Sequence, residues 1–215
     1  MPPNALVLAF DTSAAHCAAA LLSGDQVLAQ RHEPMEKGQA ERLLPMLAEM
    51  LAEAGVGFAD LARIGVGTGP GNFTGVRISV AAARGLALGL GIPAVGISAL
   101  QAQALGTDGA VLSSLDARKG ALYLQGFGLT DGPAAQILDL TNLPPLPPAT
   151  CIGFAAHDIA AHCAGQPAQP RYALCEAIAR LAQAQDLTHS PRPAPFYLRS
   201  ADAAPPSDPP PVILP

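Results

Sequence analysis

The order in which the hydrophobic period changes along the first 105 residues most strongly constrains the fold of this chain. Short apolar runs typical of strands alternate with longer stretches that place apolar residues three or four positions apart, which is typical of helices. The pattern predicts strands at 5–10, 17–22, 27–31, 63–67 and 92–97, and helices at 39–54, 76–91 and 100–105. Because Gly24-Asp25 is a hairpin signal, we expect the first three strands to be antiparallel.

This element order, β-β-β-α-β-α-β, is typical of the ribonuclease-H-like lobe shared by actin, hexokinase and the sugar kinases. We therefore predict an α/β chain of the actin-like (ASKHA, ribonuclease-H-like) fold. Its N-terminal lobe is expected to occupy residues 1–105 and to contain the helices that are candidates for an interface.

The second part of the chain carries weaker signals. Strands at 111–115 and 121–127 form a predicted hairpin, and an amphipathic helix is predicted at 173–184. The last third of the chain holds 15 of the 22 prolines, a composition that favours loops and extended segments. We expect a reduced C-terminal lobe at 106–204, followed by a proline-rich, disordered tail at 205–215.

Composition restricts the classes of function. Charged residues make up 13% of the chain, against about 25% in an average domain, so either the interior is large or a partner covers part of the surface. The net charge of −5 and the lack of any lysine or arginine run disfavour autonomous nucleic-acid binding.

The sequence also predicts where the protein is located in the cell. The N-terminus lacks a basic stretch before its first apolar run, so we expect no secretory signal and a cytoplasmic protein. The apolar region 78–97 is interrupted by Arg84 and Pro93, which favours a buried helix and strand over a membrane span. The four cysteines show no C-x-x-C spacing and are expected to be free thiols.

Asp11, Thr12 and Ser13 follow the first strand, where an actin-like fold contacts phosphate. The carboxylate could hold a metal ion and the hydroxyls could contact phosphate oxygens, although alanine stands at position 14 where glycine would let the backbone approach. Alternatively, Asp11 accepts backbone N–H bonds in a purely structural turn. The sequence leaves both interpretations open.

A glycine-rich turn, residues 67–75, opens directly into the second long helix. It departs from both G-x-x-x-x-G-K-[ST] and G-x-G-x-x-G. The candidate phosphate or nucleotide contacts at this turn are Gly69, Gly71, Asn72, Thr74 and Gly75. Either the free N–H groups at the helix start bind an anion, or the glycines allow a tight crossover and close helix packing.

We predict no metal site. His157 and His162 are five residues apart, about 140° around a helix, so they cannot share a face as the metal ligands of a zincin do. His16 and His32 have no neighbouring candidate ligands in the sequence.

The two long helices carry more apolar surface than docking on one sheet requires. They either pack on each other and on the sheet, or extend into an interface with another subunit. The candidate interface residues are Leu43, Leu47, Met50 and Ala54 in the first helix, and Arg77, Ala81, Ala82, Arg84 and Gly85 in the second.

Five segments resemble the bacterial TsaB family, formerly called YeaZ or glycoprotease-like proteins. They read LVLAFDTSAAHCAAALL, QAERLLPMLAEML, IGVGTGPGNFTGVRISVAAARGLALGLGIPAVGISAL, LSSLDARKGALY and PAPFYLR. The likeness is dense over residues 6–105, thin over 130–184, and returns at 196–199. The block G-P-G-x-F-T-G-x-R is its most specific part.

The resemblance implies an actin-like fold and a role in making threonylcarbamoyladenosine, the modified adenosine beside the anticodon of tRNAs that read codons beginning with A. It implies a non-catalytic partner of the transferase TsaD, bound through paired helices, with the ATPase TsaE joining the complex. tRNA would be met only through the complex, ATP or ADP could lie at the partner interface, and the chain alone could form a homodimer. No membrane association is implied.

The resemblance also bears on catalysis. TsaD carries an H-x-x-x-H metal motif on the equivalent of the first long helix, whereas residues 38–43 here read GQAERL, without histidine. We therefore expect neither transferase nor metalloprotease activity and assign no catalytic residue. Two alternatives stay open: a nucleotide-dependent small-molecule kinase and a glycoprotease-like peptidase on the same fold.

Overall fold

The structure, a computed structural model, describes residues 4–188 and 191–199. The predicted tail at 205–215 lies outside these residues. The strands are β1 Leu6–Asp11, β2 His16–Ser23, β3 Gln26–Pro34, β4 Leu61–Gly67, β5 Ala94–Ile97, β6 Val111–Arg118, β7 Ala121–Phe127, β8 Gln136–Asp139, β9 Thr150–Gly153 and β10 Gln166–Ala168. The helices are α1 Gln39–Glu53, α2 Phe73–Leu90, α3 Ala99–Ala104, α4 Ala156–His162 and α5 Leu174–Ala184.

The first sheet has the strand order β3-β2-β1-β4-β5. Strands β1, β2 and β3 form an antiparallel meander, and β4 and β5 run parallel to β1. This arrangement confirms the predicted α/β, actin-like fold. Each element predicted before residue 105 is present, with ends that differ by at most three residues.

The alternation of side chains along β1 explains why helices cover both faces of this sheet. Leu8 and Phe10 pack with α1 and α2 on one face, and Val7 and Ala9 pack with α5 on the other. All four side chains are fully buried. A strand buried on both faces is therefore a continuous apolar run, as the sequence pattern indicated.

The second sheet has the order β10-β9-β6-β7-β8. The predicted hairpin forms its centre, with the turn at Lys119 and Gly120. The sequence pattern did not predict β8, β9, β10 or α4. These elements have seven residues or fewer, so they carry too little periodicity to be recognised.

Helix α5 corrects the predicted division of the chain. The sequence predicts this helix as part of the C-terminal lobe at 106–204, but the helix packs on the first sheet through Ile178 and Ala182. A Cβ atom at Gly65 of β4 would lie 3.0 Å from the Ala182 Cβ atom, so the two backbones are in close contact. The amphipathic pattern predicted the helix, but it could not indicate which sheet the helix would cover.

Arg63 ties β4 to the C-terminal end of α5. Its Nη1 donates to the carbonyls of Ala182, Gln183 and Gln185 at 2.6, 3.1 and 3.0 Å. The side chain is 7% exposed, and this burial lowers the pKa of Arg63. A cation at this position satisfies carbonyls that the last helical turn leaves without partners.

Helix α2 is the one helix of the described residues whose length and composition match a membrane span, with a mean hydropathy of 1.3. That match is weak evidence, because core helices share these properties. Val76, Val80 and Ala83 of α2 are buried in the core beneath the first sheet.

The four cysteines are buried free thiols. Burial raises the pKa of Cys17 to about 11 and that of Cys151 to about 12. The pKa of Cys175 is also raised well above its ordinary value by burial. The Sγ atoms of Cys151 and Cys163 lie 3.6 Å apart, so these two thiols are in contact beneath the second sheet.

Cys17, Cys151 and Cys175 are expected to react slowly in the folded chain. At pH 8, Ellman's reagent should label these three thiols at least about 100-fold more slowly in the native protein than in guanidinium, because the thiolate is the reactive form. These thiols ionise first in the unfolded chain, so the free energy of unfolding should also fall as pH rises above about 9. Rapid labelling of any of the three in the native chain would contradict this expectation.

Candidate functional site

The two turns that the sequence analysis singled out lie against each other. Strands β1 and β4 are parallel neighbours, so the turns that follow them meet at one edge of the sheet. A Cβ atom at Gly75 would overlap the Thr12 carbonyl oxygen, and one at Gly71 would overlap the Ser13 carbonyl oxygen. The glycines at these positions allow the two backbones to touch.

Asp11 is fully buried, and its Oδ1 atom has three partners. It accepts from the backbone N–H and the hydroxyl of Ser13 at 2.9 and 2.8 Å, and lies 2.9 Å from His16 Nε2. Oδ2 is buried without a hydrogen-bond partner among the described residues, next to Gly67. These contacts match the structural-turn interpretation of Asp11, Thr12 and Ser13.

The polar groups expected to hold a phosphate are used internally. The Thr12 hydroxyl donates to the Gly75 carbonyl at 2.6 Å. The Asn72 side chain accepts from the backbone N–H groups of Thr74 and Gly75 at 3.0 and 3.2 Å, which caps α2. Of the predicted phosphate contacts, the Thr12 hydroxyl, the Asn72 side-chain oxygen and the backbone N–H groups of Thr74 and Gly75 are therefore already paired within the chain.

Gly69 and Gly71 complete the turn between β4 and α2. Gly69 has φ +90°, a left-handed conformation that favours glycine, and a Cβ atom there would lie 3.0 Å from Val76 Cγ2. The glycines of this turn thus allow the tight crossover and close helix packing that the sequence analysis gave as the alternative to anion binding.

The cluster at Asp11 differs from a hydrolytic triad. A triad requires serine to donate to histidine and histidine to donate to the carboxylate. Here Ser13 and His16 both contact the same oxygen of Asp11. Within residues 4–188 and 191–199, no three side chains of His, Cys, Asp or Glu come together as a metal site.

A cleft of about 1240 Å³ is lined by the two turns and by strands of the second sheet. Its basic residues are Arg118 from the β6–β7 hairpin, Arg171 from the loop before α5, and Arg199 from the C-terminal segment. Asp116 also lines it, and its Oδ1 accepts the Arg118 backbone N–H at 2.7 Å. The sequence analysis did not propose these residues as a site, because they are far apart in the chain.

The C-terminal segment 196–199 is anchored to the glycine-rich turn. The Phe196 N–H donates to the Thr68 carbonyl at 2.8 Å. The Tyr197 ring stacks on Phe73 with centroids 4.6 Å apart, and Arg77 Nε donates to the Tyr197 hydroxyl at 2.9 Å. Arg77, predicted as an interface residue, is exposed but is held in this aromatic cluster.

The structure separates the interface candidates into two groups. Leu43, Leu47 and Met50 are at most 1% exposed and belong to the core beneath the first sheet. Their assignment to a partner interface is therefore corrected, because the chain's own sheet covers this stripe of α1. Ala54 and Ala82 are half-buried.

Six of the exposed residues of α1 and α2 make up what we call the two-helix surface. It includes two leucines that the sequence analysis did not single out, Leu44 at 46% and Leu88 at 85% exposure. The surface consists of Leu44 and Ala48 of α1 and of Ala81, Arg84, Gly85 and Leu88 of α2. Leu88 follows Ala81 and Arg84 at helical spacing, a signal in the sequence that could have found it.

Comparisons with known proteins agree with this fold. Residues 29–137 match the family model for TsaD, tRNA N6-adenosine threonylcarbamoyltransferase. The chain is 39% identical over 122 residues to the tRNA threonylcarbamoyladenosine biosynthesis protein TsaB of Escherichia coli, an alignment that covers 54% of this chain and 52% of that protein. The chain thus spans about half the length of this curated relative.

Two solved structures give the same result. YeaZ from Pseudomonas aeruginosa is 31% identical with a TM-score of 0.59, and the match covers 69% of this chain and 75% of that one. An uncharacterized protein with similarity to peptidase YeaZ from Pseudomonas aeruginosa is 26% identical with a TM-score of 0.72, covering 91% and 100% of the two chains. The chain belongs to the TsaB (YeaZ) family.

Proposed function

We propose that this chain takes part in the biosynthesis of threonylcarbamoyladenosine in tRNA, as a non-catalytic partner of a TsaD-like transferase in the cytoplasm. The proposal is supported by a difference between the two turns and the two long helices of the first lobe. The Thr12 hydroxyl and the Asn72 side-chain oxygen are paired within the chain, while α1 and α2 expose apolar side chains. Membership of the TsaB family supplies the pathway.

The non-catalytic role is supported by the chemistry of the two turns. Asn72 already accepts from two of the N–H groups at the start of α2, so an incoming phosphate would compete with it. The residues at the start of α1 are Gln39, Ala40 and Glu41, which do not provide the paired histidines that the TsaB resemblance assigns to TsaD.

The two-helix surface is the proposed docking site for the TsaD-like partner. Ala48, Ala81 and Gly85 are small enough to let a second pair of helices approach closely, and Leu44 and Leu88 provide exposed apolar area. The TsaD family model spans both helices in this chain, so a TsaD-like partner would present equivalent helices and complete a four-helix bundle. Without the partner, two copies of this chain would pair through the same surface.

Further components join through the complex in this proposal. A TsaE-like ATPase and tRNA assemble on the pair, and ATP or ADP is placed at the partner interface. The transfer chemistry is assigned to the TsaD-like subunit, and this chain positions and stabilises that subunit.

Depletion of the protein in its own organism tests the proposed function. Mass spectrometry of total tRNA nucleosides should show loss of threonylcarbamoyladenosine, and re-expression of the full chain should restore it. A second modified nucleoside from an unrelated pathway, measured in the same samples, serves as the control. Persistence of threonylcarbamoyladenosine after depletion would overturn the assignment.

A further inference from the structure

We propose that the cleft lined by the two turns and the second sheet binds a short single strand of RNA. The choice of RNA as the anion rests on the function proposed above. The size, charge and aromatic lining of the cleft support the binding site itself.

The cleft is larger than a site for one small molecule. Its volume of about 1240 Å³ exceeds the range of roughly 300–1,000 Å³ that is usual for small-ligand pockets. Its walls come from both lobes and from the C-terminal segment 196–199. A ligand that fills it must therefore extend across several structural elements.

Positive charge predominates in the cleft although the chain is acidic overall. Arg118, Arg171 and Arg199 line it together with the carboxylate of Asp116, whereas the net charge of the chain is −5. No carboxylate in the described part of the chain lies within ion-pair distance of these three arginines. Arg31, Arg42 and Arg180, by contrast, are each paired with a carboxylate.

Aromatic rings are placed among these charges. Tyr197 is 41% exposed in the cleft wall, and Tyr172, Phe73 and Phe196 are half-buried there. A basic groove with accessible aromatic rings is the arrangement that binds single-stranded nucleic acid, because bases stack on the rings while cations contact the backbone.

The arrangement favours a strand over a single nucleotide. The three arginines come from three separate segments, so they suit several phosphates spaced along a backbone. At the two turns that would hold the phosphates of one nucleotide, the Thr12 hydroxyl and the Asn72 side-chain oxygen are already paired. The three arginines line the same cleft as Ser13, Gly71 and Asn72 of the turns, but each comes from a different segment.

Fluorescence anisotropy with the full chain and a fluorescein-labelled octaadenylate tests the proposal. Three neutralised phosphates predict a slope of about −2 for the logarithm of the binding constant against that of the salt concentration. Arg118→Gln and Arg199→Gln should each make the slope shallower by about 0.7. Lys119→Gln is the matched control, since it removes one charge from the same hairpin outside the cleft lining, and its slope should stay near that of the unmodified chain.

Tyr197 provides an independent test of stacking. Tyr197→Ala should weaken binding by about fivefold or more, while Tyr197→Phe should keep most of the affinity because the ring is retained. Thermal unfolding of both variants separates lost stacking from lost folding. If Tyr197→Ala does not fold, the salt slopes of Arg118→Gln and Arg199→Gln still decide the result.

The proposal would be overturned by a lack of binding at 50 mM salt, or by equal salt slopes for Arg118→Gln and Lys119→Gln. Displacement of the RNA by ATP at an equal concentration of phosphate groups would also overturn it, because that result indicates a mononucleotide site. The test is separate from that of the proposed function. Loss of threonylcarbamoyladenosine on depletion without RNA binding would reject the cleft proposal alone. RNA binding with persistent threonylcarbamoyladenosine would reject the pathway alone.

Discussion

Gly75→Ala is expected to destabilise the folded chain by about 2–4 kcal/mol, although alanine is the better helix former. A Cβ atom at position 75 would overlap the Thr12 carbonyl oxygen, which is backbone and cannot move aside as a flexible side chain would. Separating the two turns would also stretch the hydrogen bond from the Thr12 hydroxyl to the Gly75 carbonyl. Denaturant unfolding, followed by circular dichroism, measures the change.

Gly85→Ala in the same helix is the matched control. A Cβ atom there meets no atom within 4 Å, and neither glycine has positive φ. Alanine should therefore stabilise the chain by about 0.5–1 kcal/mol through its helix propensity. Equal effects at the two positions would show that Gly75 does not serve the contact between the turns.

Leu44→Glu and Leu88→Glu are expected to weaken binding of the TsaD-like partner at least about tenfold, with little change in stability. Both side chains are exposed, so an added carboxylate stays in water in the free chain but is buried against apolar helices in the complex. Gel filtration with the purified partner and a thermal melt of each isolated variant measure the two effects.

Leu47→Glu provides the contrast, because Leu47 is fully buried only three residues from Leu44. It should destabilise the chain by more than about 4 kcal/mol, since it places an unpaired charge in the core. If Leu44→Glu and Leu88→Glu leave the complex intact while Leu47→Glu unfolds the chain, the partner docks elsewhere. If this chain forms a homodimer, the two surface substitutions should also convert it to a monomer.

The N-terminal lobe could be predicted because its signals are local. Strand β1 is a continuous apolar run and α1 has apolar residues at helical spacing, so each element is recognisable without its neighbours. The short elements of the second sheet could not be recognised in this way. Strand β10 has three residues and helix α4 has seven, which is too short for a period to emerge.

The candidate site was predicted only in part. The two turns were recognised from their composition and position, and the structure brings them together. The prediction that they bind phosphate depended on free N–H and hydroxyl groups, and the hydrogen bonds of Thr12 and Asn72 use these groups internally. Arg171 was missed because nothing near it in the sequence marks a site.

By itself, the sequence determined the order and type of the main elements, the family resemblance and the overall negative charge, because hydrophobic period and composition are properties of neighbouring residues. The tertiary structure alone decided which apolar residues are core and which are surface. Leu44 and Leu47 lie on the same helix, but Leu47 is on the side that packs on the sheet and Leu44 is on the exposed side. It also decided that Gly75 must lack a side chain, because its contact is with Thr12, 63 residues earlier in the chain.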